Sequence, residues 1–260
     1  MEKIEKHLII PDCQVKEGVP LEYLTWIGKY IIKKKPDVIV CIGDFADMPS
    51  LSSYDKGKKS FEGRRYKSDI AAAKKGMDML LRPLREYNEH QRQIKAKQYK
   101  PRMVLTLGNH EHRIMRAVEN QAELEGVISY DDLPYQDWEV HDYLKPVFIA
   151  GVCYAHFMAN PNTGNPYAGL VSTVLKTVGH SYVVGHTQKL DIATRTLVTG
   201  QKQWGIVAGA CYLHDEGYKG YQGNHHWRGI IMLHRVIEGG FDPCFISLDY
   251  LRDTFDEDTK

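Results

Sequence analysis

Apolar runs of strand length alternate with amphipathic stretches of helical period along this chain. His7 to Ile10, Val38 to Ile42, Met103 to Leu107, Val152 to Ala155 and Tyr182 to Val184 read as strands. Between the first two, Pro20 to Lys34 sets Leu21, Leu24, Ile27, Ile31 and Ile32 at helical spacing, with Gly18 ahead and Lys35-Pro36 as a stop. Strand, helix, strand predicts a parallel βαβ unit with a right-handed crossover. Ser68 to Tyr87 predicts a second helix. Ser68 is its expected N-cap, Ile70, Ala73, Met77, Leu80, Leu81 and Leu84 share a face, and Pro83 is expected to bend or end it. Arg113 to Leu124 reads as helical, and Tyr130 to Pro146 as aromatic and turn-rich. Short strands follow at Val147 to Ile149, Trp204 to Ala208, Gly229 to His234 and Cys244 to Leu248, and Arg252 to Lys260 reads as a solvated acidic tail. The order predicts a layered α/β fold in one domain spanning 1–260, with a basic helical insertion at about 48–102.

Polar islands stand at or near the ends of five of these strands. They are Asp12-Cys13-Gln14, Gly43-Asp44-Phe45-Ala46-Asp47, Gly108-Asn109-His110-Glu111, the lone His156, and Gly185-His186-Thr187-Gln188. Carboxylate, amide and imidazole groups at successive strand ends converge on one sheet edge, which is how a fold gathers metal ligands from distant sequence. The pattern reads as a metal-dependent hydrolase.

The spacing resembles the calcineurin-like metallophosphoesterase superfamily, whose blocks are Asp-x-His, Gly-Asp-x-x-Asp, Gly-Asn-His-Asp/Glu, a lone His and Gly-His-x-His. The likeness runs over roughly residues 8 to 190 and departs at Gln14 and Gln188, where the family has His. It implies two stacked mixed β-sheets flanked by helices. It also implies a first metal site of Asp12, Gln14, Asp44 and Gln188, and a second of Asn109, His156 and His186, with Asp44 bridging. The family role of His110 is to protonate the leaving oxygen, held by Asp47. His to Gln replaces a basic nitrogen with a neutral amide oxygen. The all-oxygen first site then suits Mn²⁺, Mg²⁺ or Ca²⁺, and the mixed second site tolerates Mn²⁺, Zn²⁺, Fe²⁺ or Ni²⁺. A tight second site and a weaker, exchangeable first one are expected, with Mn²⁺ the favoured ion. The rival reading is that the paired replacement has destroyed the first site.

Charge distribution directs the substrate expectation. Between Asp55 and Arg102 fifteen basic residues stand against six acidic ones, a net of +9 in a chain of net charge +1. Such asymmetry favours a polyanion, so a phosphodiesterase or nuclease acting on nucleic acid is the leading expectation. A solvated helical face is the plainer account of the same charges. Lys58, Lys59, Arg64 and Arg65 are the patch expected on phosphate, with Tyr54 and Phe61 placed to stack on a base. Arg113 either clamps a phosphate oxygen or simply pairs with Glu111 or solvent. His112 reads as a solvated surface residue, and the stretch from Tyr218 to Trp227, with His225 and His226, as a loop over the site. The alternatives are a phosphomonoesterase of phosphoprotein or nucleotide, and a disabled nucleic-acid-binding relative.

The remaining composition sets bounds. The 260 residues suffice for one large core. No apolar run reaches membrane-span length and Met1 to Lys6 is charged with no apolar segment behind it, so a soluble cytoplasmic protein without membrane partners is expected. The five cysteines are odd in number and lack CxxC spacing, and Cys13, Cys41 and Cys153 fall in or beside strands, so buried thiols rather than disulfides are expected. Members of the family often pair through helices beside the site, which leaves a homodimer open.

Overall fold

A computed structural model describes residues 3–257. Two mixed sheets stack face to face with helices on their outer surfaces. The first sheet holds β1 (Glu5–Ile10), β2 (Val38–Cys41), β3 (Arg102–Thr106), β4 (Glu139–His141), β10 (Gly229–Ile237) and β11 (Gly240–Ser247). Its order is β11-β10-β1-β2-β3-β4, with β1 to β4 parallel and the two late strands antiparallel. The second holds β5 (Val147–Ile149), β6 (Val152–Ala155), β7 (Tyr182–Val184), β8 (Leu190–Thr196) and β9 (Lys202–Ala208), in the order β5-β6-β7-β9-β8.

Burial on both faces explains why the central strands read as unbroken apolar runs. Ile9, Val40 and Val104 face the second sheet and pack with Tyr154, Val183 and Ile206. Their neighbours Leu8, Ile10, Ile39, Cys41 and Leu105 turn the other way, toward α1 (Glu22–Lys34), α2 (Tyr66–Gln93) and α6 (Leu248–Phe255). On the far side α4 (Val171–Val178) covers Cys153, Tyr182 and Val207. Cys13, Cys41 and Cys153 are buried, as their positions in or beside strands imply; Cys211 is buried too, and Cys244 in β11 is exposed.

The segment after β2 makes three single-turn 3-10 helices between Pro49 and Phe61, then α2, which is the crossover from β2 to parallel β3. Here the structure corrects one expectation and narrows another. Ser68 is not the N-cap; α2 begins two residues earlier with Arg65 at the cap position. Pro83 does not end the helix, which runs ten residues further to Gln93. Leu80, Leu81 and Leu84 are buried beside α1, and that packing holds the turn that a proline would open in a solvated helix.

Several further elements depart from the sequence expectation, among them a short helix at Gly220–Gly223 in the stretch expected as a loop. β4 lies in the stretch taken as turn-rich, and α4, with sequence VSTVLKTV, has the β-branched content of a strand. β8 is an edge strand with little burial and so lacks an apolar run. Residues 252–255 belong to α6, not to a solvated tail: Ser247 caps Tyr250, Leu248 and Leu251 are buried, and Phe255 meets the Tyr30 ring edge-on at 6.3 Å. The last residues of the proposed tail, 258–260, lie outside the described residues. Among the described residues no helix is long and apolar enough to cross a membrane.

Candidate metal centre

The carboxyl ends of β1, β2 and β3 in one sheet and of β6 and β7 in the other open on a common edge, and the five polar islands meet there. Donor atoms of Asp12, Asp44 and His156 lie within 4.8 Å of one another, and all three residues are buried. Gln14, Asp44, His186 and Gln188 all hold φ between 49° and 69°, a region that costs a residue with a Cβ about 1–2 kcal/mol. Two motif glycines are needed by contact. A Cβ on Gly108 would fall 2.1 Å from Asp44 Oδ1, and one on Gly185 2.2 Å from Asp12 Oδ1.

The arrangement around Asn109 has the character of a coordination site. The Ile42 carbonyl accepts from His156 Nδ1 at 2.9 Å, so in the neutral ring Nε2 bears a lone pair. That nitrogen faces Asn109 Oδ1 at 2.9 Å and Asp44 Oδ2 at 3.3 Å. His186 Nδ1 faces the same Asn109 oxygen at 2.8 Å. Lone pairs aimed at one point require a proton or a cation between them. Against the pull of burial, Asp44 and Asp12 lift the His156 imidazole to about 10, so a proton takes that place in the metal-free chain. Burial and then His156 push His186 down to about 4. Burial would raise Asp44, but His110 and His156 hold it well below the usual carboxylate range.

The other group of candidate residues is less fully bonded. Asp12 Oδ1 accepts from the His186 N–H at 3.1 Å, while Asp12 Oδ2 and both amide atoms of Gln14 are buried without a hydrogen-bond partner. Burial pushes the Asp12 carboxyl up to about 7, with His156 opposing and Asp44 adding to the rise. Unpaired buried polar atoms of this kind cost about 1–3 kcal/mol each unless something binds them. Gln188 differs, since its Oε1 already accepts from the Tyr212 hydroxyl at 2.8 Å. Cys13, between Asp12 and Gln14, packs into the helix-side core.

His110 and Asp47 form a tight pair at 2.6 Å between Nδ1 and Oδ1. Arg113 donates to the Asp47 carbonyl at 2.7 Å and lies 3.0 Å from His110 Nε2. Guanidinium groups only donate, so His110 Nε2 accepts and Nδ1 holds the hydrogen given to Asp47. Arg113 is thus at the centre and caps the nitrogen that faces Asp44 at 3.7 Å. Against burial, Asp44 and Asp47 raise the His110 pKa, and Arg113 opposes them.

The basic patch is partly spent on its own loop. Asp55 takes both Lys58 at 3.1 Å and Arg64 at 2.8 Å, and Arg65 donates to the Arg64 carbonyl. Along α2, Asp78 takes Arg82 and Arg85, and Glu89 takes Arg92. Lys59 remains exposed, Tyr54 is 81% exposed, and Arg64 lies over the Phe61 ring. His112 is half-buried rather than solvated, stacked on Tyr143 at 4.3 Å and bonded to the Tyr130 hydroxyl.

Residues that the sequence reading passed over support the centre. Glu111 accepts from the N–H groups of Asp44, Ala46 and Gly108 and from the Tyr135 hydroxyl, all at 2.9–3.0 Å, and so ties the second island to the third. Lys16, two residues past Gln14, bridges Asp47 at 2.9 Å and Glu216 at 2.5 Å. The acid closing the Gly-Asn-His-Glu block was a visible signal for the first. Nothing in the sequence announced Tyr212, which follows β9 and meets Gln188 only in space.

No family model matches the chain, and no curated protein matches it. Among solved structures, one titled as Yfce, a phosphoesterase from E. coli, is 10% identical, with 94% of this chain and 99% of that chain covered and a TM-score of 0.39. Another is 12% identical, covering 94% and 100%, also with a TM-score of 0.39.

Proposed function

We propose that this protein is a divalent-metal-dependent phosphoesterase of the calcineurin-like kind. The observation that supports it most is the convergence of His156 Nε2 and His186 Nδ1 on the Asn109 oxygen, with Asp44 Oδ2 against His156 Nε2 and with Asp12 and Gln14 atoms buried without partners. The donor set fits such ions: two imidazoles with amide and carboxylate oxygen at the second site, oxygen only at the first. Asn109, His156 and His186 with Asp44 would hold the tighter ion; Asp12, Gln14 and Asp44, with Gln188, the weaker. Mn²⁺ is the favoured ion for both, with Mg²⁺, Zn²⁺, Fe²⁺ and Ni²⁺ as competitors. Bound there, the metal would supply a nucleophile from water and neutralise charge on the phosphoryl oxygens.

The chain's own groups would do the rest. Asp47 fixes the His110 tautomer and raises its basicity. Arg113, parked on His110 Nε2 without substrate, moves onto a phosphoryl oxygen when substrate binds, as a planar fork suited to that anion. His110 Nε2 is then free to take up a proton and give it to the leaving oxygen as the P–O bond breaks.

The substrate we propose is a phosphodiester in nucleic acid. The net positive segment from Asp55 to Arg102 favours it, and no Arg-Gly follows Asp47, where eukaryotic-type serine/threonine phosphatases have that pair. Lys58, Lys59, Arg64 and Arg65 are the proposed phosphate contacts, with Arg64 exchanging Asp55 for phosphate. The test is cleavage of bis-p-nitrophenyl phosphate against p-nitrophenyl phosphate, with DNA at rising salt. A faster diester, and DNA cleavage that falls with salt while the small ester is unaffected, is the expected result. Monoester preference would overturn the diester assignment. Salt-sensitive DNA binding without hydrolysis under any divalent ion would overturn the enzyme.

A further inference from the structure

The oxygen of Gln188 is at the end of a one-way chain of hydrogen bonds. Its Oε1 accepts from Tyr212 at 2.8 Å, and the Tyr212 oxygen lies 3.2 Å from the Lys219 ammonium. An ammonium only donates, so the hydroxyl oxygen takes a Lys219 hydrogen and its own hydrogen goes to Gln188. Positive charge thus backs the donor that engages the amide oxygen. Tyr212 is fully buried and Lys219 half-buried, with the ammonium 5.9 Å from the Tyr212 ring centroid, so the chain is fixed by packing as well as bonding. Burial pushes the Lys219 pKa down, and the carboxylates of Asp12 and Glu216 oppose the fall.

Both features act against a cation at Asp12, Gln14 and Gln188. An amide oxygen already bonded to a charge-backed hydroxyl is a poorer metal ligand, and a nearby ammonium repels a second positive ion. Yet the site is not abolished, because Asp12 Oδ2 and both Gln14 amide atoms are buried and bare. A ligand that brings negative charge resolves the conflict. A phosphoryl oxygen would offset Lys219 and accept from Gln14 Nε2, leaving Gln14 Oε1 and Asp12 Oδ2 to hold a metal ion.

We infer that Tyr212 and Lys219 are positioning residues that make the first metal site conditional, filling tightly only together with a phosphate group. The inference rests on the reading of this cluster as a metal centre. It assigns a use to the segment from Tyr212 to Lys219, which lies outside all five islands. It also gives the two glutamines a purpose, since an amide both coordinates and donates where an imidazole bound to metal has no hydrogen to offer on that side.

The test is Mn²⁺ titration of the metal-stripped full chain, read by calorimetry and by the paramagnetic resonance of free Mn²⁺, with no turnover required. One tight ion per chain and a second at least roughly tenfold weaker are expected, with inorganic phosphate tightening only the second by about tenfold. Lys219→Met should tighten the second ion by about tenfold without phosphate and abolish the phosphate response. Tyr212→Phe should shift it in the same direction. Two equal ions in the unmodified chain, or a second ion indifferent to both phosphate and Lys219→Met, would overturn the inference while leaving the metal centre standing. No bound Mn²⁺ at all would overturn the metal centre itself.

Discussion

Glu111→Gln tests how the centre is held in place. The carboxylate is fully buried and accepts four hydrogen bonds, from Asp44 and Gly108 on Oε2 and from Ala46 and Tyr135 on Oε1. The amide keeps the size and loses one acceptor. Its least costly orientation turns the NH₂ toward Tyr135, whose hydroxyl rotates to accept, and leaves the Ala46 N–H unpaired. That orphan costs about 1–3 kcal/mol, and the two bonds retained on the other side fall from charge-assisted to neutral strength, about 1 kcal/mol each. Sparing the carboxylate its burial cost offsets part of this, and the net is about 3 kcal/mol. For a chain of this size the melting temperature should drop by roughly 6–12 °C. Urea and thermal unfolding of the metal-free protein by circular dichroism is the assay, so that metal linkage does not enter. A loss under about 1 kcal/mol would refute the idea that this carboxylate clamps the second island to the third.

The protonated His156 gives a second expectation. Its pKa of about 10 means that an ion at the tighter site must displace a proton near neutral pH, so Mn²⁺ affinity there should rise about tenfold per pH unit between pH 7 and 8, where the Asp12 carboxyl at about 7 no longer adds a second proton. Calorimetry in buffers of different ionisation enthalpy should count about one proton released; affinity flat with pH would contradict the site's electrostatics. His110→Asn should lower turnover by roughly 10²–10⁴-fold while leaving Mn²⁺ affinity nearly unchanged, as loss of a general acid does. An equal fall in both would mark His110 as structural.

What the sequence made legible follows from what each feature depends on. Central strands buried on both faces announce themselves as apolar runs, so β1, β2, β3, β6 and β7 were readable, and with them the common edge where the islands meet. Elements whose form is set by their surroundings were not. α2 continues through Pro83 because of its packing, β8 is a strand because β9 offers an edge, and α4 is a helix despite its valines and threonines. The same divide runs through the site. Asp12, Asp44, Asn109, His156 and His186 come from islands visible as motifs. Lys16 on Asp47 and Tyr212 on Gln188 are contacts between side chains, at 2.9 Å and 2.8 Å, with no sequence pattern to carry them. The net charge of the segment from Asp55 to Arg102 stands as counted, but Asp55, Asp78 and Glu89 each hold neighbouring basic groups, so fewer of its cations are free for a ligand than their number suggests.

The most direct test of the central claim is hydrolysis of bis-p-nitrophenyl phosphate by metal-stripped protein with Mn²⁺ restored, run beside Asp44→Asn. Asp44 faces His156, and its Oδ1 accepts from the His110 N–H at 2.9 Å, so it is the residue on which both halves of the centre depend. Mn²⁺-dependent cleavage in the unmodified chain, abolished in Asp44→Asn, is the predicted result. Cleavage that persists without metal or survives in Asp44→Asn, or none with any divalent ion, would contradict it.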